Sequence, residues 1–429
     1  MGVSHVPPIL YAASDWRKSV RSTIVANTRS FLHECSHTGM QIYRAYFIFL
    51  HSELRMRIEI ATNPNVLLGL QEKWRDLAQN SRITNIFNEP EMLVPALQFL
   101  TGNRKIQVAL LWEKKELVGL FPFAFSPTWR GLPLKHFILW NHPYSFLSTP
   151  LIRSDYLITT FNMFLKWIVS VIRYPYLIEC HHISSELFSG DREGFLSLLE
   201  KCKFQSAMHL ESRPGFNLQS YVTFEDYWQT RSRAFRKKYR QRFRQLTEQG
   251  IVKVERLPLL SEGGSHEALH SWIEDFLLLE QQGWKGRQGT AMCSNQAHAH
   301  YFSRIVSELF KTNKLHFMRL SVNGETIAGK CSFSSGGKVF CFKIAYREKF
   351  ARSSPGLLLE VEFIREMMRS SEFSVIDSCA RPDHPLFESI WEDSISTISG
   401  ILYRGKVFGI LRGVYRQSLQ HSDKFYETR

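Results

Sequence analysis

Apolar residues along the chain come in short blocks whose spacing alternates between the helical and the extended period, and the second half repeats the block order of the first. The first sixty residues stand apart: Phe47-Ile48-Phe49-Leu50 sits among scattered arginines, and the piece closes near Asn63-Pro64-Asn65. It is expected to be a helical extension or a partly ordered arm. From Val66 the elements become legible. Leu68 to Leu77 has helical spacing, and Ile86-Phe87-Asn88-Glu89-Pro90 turns the chain into a second helix. Ile106–Trp112 and Glu116–Phe123 read as strands around the tight turn Glu113-Lys114-Lys115. The run Leu157–Ile172 contains Asn162 and Lys166. It falls short of the roughly 20 apolar residues a membrane span needs and predicts a buried helix. A short apolar strand follows at Tyr176–Glu179.

The second half is clearer. Thr223 with Asp226 three residues on predicts a capping box, and Gly250 closes the helix it opens. Ser265 starts a helix with Leu269, Trp272, Ile273 and Phe276 on one face, and Asn295 another with Phe302, Ile305 and Leu309. Three strands follow, Leu315–Val322, Thr326–Ser334 and Lys338–Tyr346, joined by Asn323-Gly324 and Ser335-Gly336-Gly337. A helix from Pro355 to about Arg369 and a strand at Phe373–Cys379 complete the pattern. Val108–Phe123 (VALLWEKKELVGLFPF) lies over Met318–Phe333 (MRLSVNGETIAGKCSF), pairing Leu117-Val118-Gly119 with Ile327-Ala328-Gly329. A repeat at this distance implies two copies of one domain. Helices before an antiparallel meander, then a helix and a strand, make each copy α+β.

Composition adds bounds. The 429 residues, 44% apolar, suffice for two or three packed domains and exclude wholesale disorder. The 54 Lys+Arg against 40 Asp+Glu leave a net +14, which points to an anionic partner: nucleic acid, membrane surface or a phosphorylated small molecule. Seven cysteines, at 35, 180, 202, 293, 331, 341 and 379, include no CxxC pair. An odd, unpaired set fits a reduced, cytoplasmic setting better than a disulfide framework. The N-terminus, with Pro7, Pro8 and Asp15, is no secretory signal.

The chemistry concentrates between Lys343 and Met367 (KIAYREKFARSSPGLLLEVEFIREM). A buried strand ends at Tyr346, a basic loop carries Arg347, Lys349 and Arg352, and a helix opens at Pro355-Gly356. Proline at the first turn forfeits a donor that would go unused, and glycine lets a ligand approach the free amides. The positive end of the helix makes an anion cradle. A capped core helix behind solvated cations is the competing reading.

This segment resembles the acyl-CoA pyrophosphate site of the GNAT acetyltransferase superfamily, and in particular its tandem-domain, CelD-like and FemAB-like branch. Glu280-Gln281-Gln282-Gly283-Trp284-Lys285-Gly286 with Gly289-Thr290-Ala291 is similar to that branch's Trp-Lys-Gly and Gly-Thr-Ala signature. Asp377-Ser378-Cys379-Ala380, His384-Pro385 and Trp391 extend the likeness, which covers Val66 to Gly405. The chain departs from the pattern at Arg347, where the family has an acid, and lacks the Gln/Arg-x-x-Gly-x-Gly/Ala loop of simpler members. The resemblance implies an α+β fold of two tandem GNAT-like domains, with mainly antiparallel sheets flanked by helices. It implies acyl transfer from acetyl-CoA or another acyl-CoA, with no metal, to an amine or hydroxyl on a small molecule or glycan. Envelope or exopolysaccharide metabolism is the implied setting. Lys343, Arg347, Arg352, Ser354 and Gly356 would bind the donor, and Trp284, Lys285 and Thr290 the acceptor. Glu280 is the first candidate base, Asp377 its rival, and Tyr346 a candidate acid for the leaving thiolate. As a last-turn glutamate Glu280 would otherwise be a solvated surface residue, and Tyr346 a packed strand end.

Arg231–Arg244 holds eight Lys/Arg and no acid, with Phe235, Tyr239, Phe243 and Leu246 at helical spacing. It would grip RNA, an anionic membrane or an anionic donor, or simply be the solvated face of a docked helix. RNA would suit a FemAB-like transferase that uses aminoacyl-tRNA; a non-catalytic binding protein of the same fold is the further alternative. Cys180-His181-His182, His298 and His300 lack metal-ligand spacing, and Cys379 reads as a sheet residue. The expected organisation is an extension over 1–65, a degenerate first domain over 66–215, a donor-binding second domain over 216–412, and a polar tail over 413–429.

Overall fold

A computed structural model describes residues 56–405 apart from 130, 132, 135, 172–175 and 389. The tail expected over 413–429 and most of the extension lie outside the described residues. In chain order the first half runs β1 (Met56–Ala61), α1 (Pro64–Leu68), α2 (Gln71–Gln79), α3 (Pro90–Phe99), β2 (Ile106–Glu113), β3 (Glu116–Ser126), β4 (His136–Leu139), β5 (Leu151–Ile152), α4 (Leu157–Val171), β6 (Tyr176–Ser184), α5 (Arg192–Lys201) and β7 (Gln205–Asn217). The second runs α6 (Phe224–Thr230), α7 (Arg233–Thr247), β8 (Val252–Arg256), α8 (His266–Gln281), α9 (Trp284–Arg287), α10 (Gln296–Lys311), β9 (Leu315–Val322), β10 (Glu325–Ser335), β11 (Lys338–Tyr346), α11 (Pro355–Met367), β12 (Val375–Asp377), α12 (Pro385–Glu388) and β13 (Asp393–Arg404).

All the described strands join one sheet in the order β1-β2-β3-β4-β6-β13-β7-β12-β11-β10-β9-β8, with β5 on β3. The order is a palindrome of topology. Each half contributes a four-stranded antiparallel meander, then a helix, then a strand parallel to the fourth: β6 beside β4, and β12 beside β11. Between these parallel pairs lie β7 and β13, paired antiparallel from Asp393↔Gly215 to Tyr403↔Gln205. The last strand of each half therefore sits in the other half's territory. Gly400 is required there, because a Cβ would lie 2.3 Å from the Ala207 carbonyl oxygen.

Three expectations change. Met56–Ala61, placed in the extension, is the outermost strand of the sheet and pairs with β2. The boundary at residue 215 falls inside β7, so the sheet has no seam there. The repeat is real but its register is off by one. Both hairpins carry a bulge, at Val118 (Leu111↔Gly119, then Trp112↔Leu117) and at Ile327 (Thr326↔Ser321, then Ala328↔Leu320). Matching bulges and turns equates Gly119 with Ala328, not Gly329. The faces agree: Gly119 lies under Thr160 of α4, whereas Gly329 lies under Phe276 of α8 on the opposite face. A one-residue slip moves every side chain to the other face.

The helix expected from Thr223 to Gly250 is two helices. The capping box forms, with Asp226 N–H donating to Thr223 Oγ1 (3.1 Å) and Thr223 N–H to the Asp226 carboxylate (2.8 Å). Arg231 then turns extended, and Ser232 caps α7 by accepting from Phe235 N–H. In the second half α8 and α10 cover one face through Phe276, Phe302, Phe317 and Phe342, and this core is continuous with that of the first half. The helices α6, α7 and α11 cover the other face through Tyr227, Tyr239, Leu358, Phe363 and Ile364.

Candidate active site

The site begins where two strands part. β11 stays paired with β10 as far as Ala328↔Tyr346, but β12 pairs only with Lys338–Phe340 and ends at Asp377. From Cys341 to Tyr346 the edge of β11 on that side faces no described strand, so its amides and carbonyls are open to a ligand. The chain then passes through a 3₁₀ turn, Glu348–Ser353, rather than the expected open loop. Ser354 follows in the left-handed region (φ 47°), and Pro355 opens α11. Gly356 lies against the strand, where a Cβ would sit 3.6 Å from Tyr346 Cδ1 and 3.7 Å from Ile344 Cδ1. These are ordinary contacts, so the fold itself does not require glycine here. Pro355 has no N–H, and Leu357 and Leu358 N–H donate to the Ser354 carbonyl (3.0 and 3.2 Å). Gly356 N–H is thus the first-turn amide of α11 that ends beside the open edge, an arrangement suited to an anionic group followed by an extended tail.

Two of the three cations in the approach are already engaged. Arg347 donates to the Thr326 carbonyl (2.9 Å) and to Gln282 Oε1, and pairs with Glu325 (3.1 Å). Lys349 bonds both oxygens of Glu325 (2.8 and 2.9 Å). Arg352 is exposed near the start of α11. Glu325 opens β10 beside the loop, a neighbour that sequence spacing does not reveal.

A bulge in β11 shapes the other side of the site. Cys331 pairs with Lys343 and Ser332 with Cys341, which leaves Phe342 extra. Bulges re-aim side chains, and here Lys343 is brought to the face of Phe342, toward α8 and the first half. Its Nζ lies 3.9 Å from Glu280 Oε1 and 4.9 Å from the centre of the Tyr144 ring. Burial, aided by the charge of Lys285 and opposed by Glu280, pulls its pKa down to about 8.

Glu280 is only 2% exposed, which overturns its reading as a solvated residue. Oε1 accepts from Lys285 Nζ (2.9 Å) and Oε2 from Met292 N–H (2.8 Å). Burial pushes its pKa up, but Lys285, Lys343 and the Met292 amide more than reverse this and hold it below the ordinary carboxylate range. The Trp-Lys-Gly and Gly-Thr-Ala residues build the clasp around it. Thr290 and Ala291 N–H both donate to the Lys285 carbonyl. Gly286 is obligatory, since a Cβ would fall 1.7 Å from the Gln281 carbonyl oxygen. Trp284 is 47% exposed and Thr290 is exposed, both on this clasp.

Asp377 closes the fork between β11 and β12. Oδ2 takes the Arg213 guanidinium (2.6 Å) and Oδ1 the Cys379 amide (2.9 Å), so both oxygens are in use. Tyr346 packs on the second core beside Gly356. Cys180-His181-His182 lies within β6 rather than at its end. Among the described residues no group of three His, Cys, Asp or Glu is placed to hold a metal ion, and no helix is long and apolar enough to cross a membrane.

Sequence reasoning missed the first half's share. The segment after β4 carries Tyr144, whose hydroxyl meets His298 Nδ1 at 2.9 Å and whose ring stacks on Tyr301. Burial, with Glu280 adding, pushes the Tyr144 pKa up. The equivalent fork in the first half, between β4 and β6, is filled by this same segment. Ser148 donates to the His181 carbonyl, and Ser184 N–H to Thr149 Oγ1 (2.8 Å). Asp155, an acid, precedes α4 where α11 is preceded by Arg352. Also unforeseen was a buried pair on the reverse face, Lys330 with Glu360 at 2.9 Å, which pins α11 to β10.

The stretch from α7 to His384, residues 233–384, matches the model of an acetyltransferase (GNAT) domain. This stretch carries the likeness to a GNAT domain. Among solved structures, FemX is similar at 10% identity over 80% of this chain and 98% of its own, with a TM-score of 0.50. A conserved protein of unknown function from Bacteroides thetaiotaomicron is similar at 10% identity over 78% and 97%, also at 0.50. None of the curated proteins matches the chain. At these identities the likeness carries the fold: two GNAT-like α+β domains in tandem, as the palindromic sheet displays from within.

Proposed function

We propose that the protein moves an acyl group, with acetyl the first to try, from acyl-CoA to an amine or hydroxyl of a small-molecule or glycan acceptor held between the two GNAT domains. One observation carries the reading: the open edge of β11, Cys341–Tyr346, ends against the amide-bearing start of α11. Phosphates of the donor would lie on the first turn of α11 with Arg352 beside them, and the tail would follow the edge inward. A free amide of that edge would then donate to the thioester oxygen as negative charge grows on it. Lys343, Lys285, Glu280 and Tyr144 face the place where the acceptor must approach. In this reading Glu280 works as a fixed anion that orders the two lysines, since a carboxylate held below its usual range is a weak base. Tyr346 remains the candidate proton donor to the thiolate. Asp377, with both oxygens bonded, keeps Arg213 and the fork in shape. A cytoplasmic setting goes with a CoA donor.

A second reading has its own support. On α7, Arg233, Lys237, Arg240 and Arg244 are exposed in one stripe while Tyr239 and Leu246 face the core. That suits a polyanion, as an aminoacyl-tRNA donor would require. Thermal melting of the full chain separates the two. Acetyl-CoA or CoA raises the midpoint under the first reading, and charged tRNA alone under the second. Stabilisation by neither leaves a binding protein of the GNAT fold without this chemistry.

A further inference from the structure

Resting on the acyl-CoA reading, we propose that Lys343 is a self-acylation site, taking the acyl group from the bound donor and switching the site off. Three geometric facts place it there. It lies on the open edge of β11, three residues, or about 10 Å, inward from the strand end that meets α11. A donor tail running along that edge passes it. The bulge turns its side chain out of the sheet's second core into the junction between the halves. Its counter-ion is shared: Glu280 Oε1 is 2.9 Å from Lys285 but 3.9 Å from Lys343.

The groups facing Lys343 come from each packed element: Glu280 of α8, Lys285 of α9, His298 of α10 and Tyr144 of the first half. Glu280 and the Tyr144 ring face favour its ammonium form, but burial and Lys285 outweigh them, so a share of Lys343 is free amine near neutrality. Other lysines are better neutralised. Lys285 has Glu280, Lys330 has Glu360 in a pair no more than 2% exposed, and Lys349 has both oxygens of Glu325.

In the step, the Nζ lone pair attacks the thioester carbonyl carbon. The C–N bond forms, the C–S bond breaks, CoA leaves as thiolate, and the proton lost by Nζ goes to that sulfur through solvent. The products are an amide and free CoA. The amide is neutral and stable, so Lys343 loses its charge and its acyl group lies where the next donor must thread. Acylation thereby limits turnover when donor is abundant and acceptor scarce.

The test is incubation of the full chain with acetyl-CoA and no acceptor, followed by peptide mass spectrometry, with CoA binding measured in parallel. Lys343 is expected to acetylate at least tenfold faster than exposed Lys237 and Lys238, and excess CoA is expected to suppress it. Its rate should rise about tenfold from pH 7 to 9 and then level, whereas an ordinary lysine rises roughly a hundredfold over that range. If CoA binds yet Lys343 reacts no faster than the exposed lysines, or ignores CoA, self-acylation is wrong and the donor reading stands. If CoA does not bind, both fall.

Discussion

At the scale of single residues, burial governs the protonation of two histidines. His142 sits beside Tyr301 at the junction of the halves, and burial holds its pKa down to about 3. His316 on β9, hydrogen-bonded to Ser334, is held down to about 4 by burial, with Arg256 adding. In the unfolded chain both titrate near 6.5. Between that value and about 4 the unfolded state takes up protons that the folded state refuses, so stability falls as pH falls through this window. The denaturant midpoint of the full chain is expected to drop steadily from pH 6.5 to 4.5, and His142→Phe to remove roughly half of the slope. A flat midpoint over that range would show that these imidazoles are solvated. None of this was visible in the sequence, where His142 is one polar letter in Trp140-Asn141-His142-Pro143. Glu280 was found by its motif, yet its burial was not, because the clasp that covers it closes through backbone bonds from Met292.

Among elements, the fork between β11 and β12 was legible and the bulge beside it was not. Strand, basic stretch and Pro-Gly helix start are contiguous, so periodicity and cap chemistry locate them. A bulge depends on how β10 pairs across the hairpin, which one strand's sequence does not carry. It decides that Lys343 faces the junction rather than the core under α11. The α9 clasp shows the same division: its letters stood out, while their purpose, holding Lys285 on Glu280, needed coordinates. Gly286→Ala is expected to destabilise the protein by about 2 kcal/mol or more, since its Cβ would overlap the Gln281 carbonyl and force the turn open. Chemical denaturation measures this, and Gly263→Ala, where a Cβ meets nothing within 4 Å, is the comparison for left-handed strain alone. Equal losses at the two positions would remove steric necessity from Gly286.

At the scale of the whole molecule, the exchange of β7 and β13 ties each half into the other's share of the sheet. Reading elements in order gave two domains because each meander is local, but no local signal tells a strand which sheet it will enter. β7 and β13 are also partly polar and half-exposed, which is why neither stood out as a core strand. The consequence is testable by truncation. Residues 216–412 alone lack nearly all of β7 and would leave β12 and β13 with bare edges, exposing unpaired strands. That piece is expected to be insoluble or unfolded by circular dichroism, while the full chain unfolds in one transition. A soluble, cooperatively folding 216–412 would mean that the shared centre of the sheet is dispensable.

The central claim is that a CoA-bearing donor lies on the open edge of β11 with its phosphates at the start of α11. Isothermal titration of the full chain with CoA, beside Gly356→Ala, tests it most directly. A Cβ at Gly356 meets only ordinary contacts within the protein, so the variant should melt within a degree or two of the parent. CoA is predicted to bind the parent at one saturable site and the variant at least tenfold more weakly. No saturable binding to the parent, or equal affinity for both proteins, would contradict the placement.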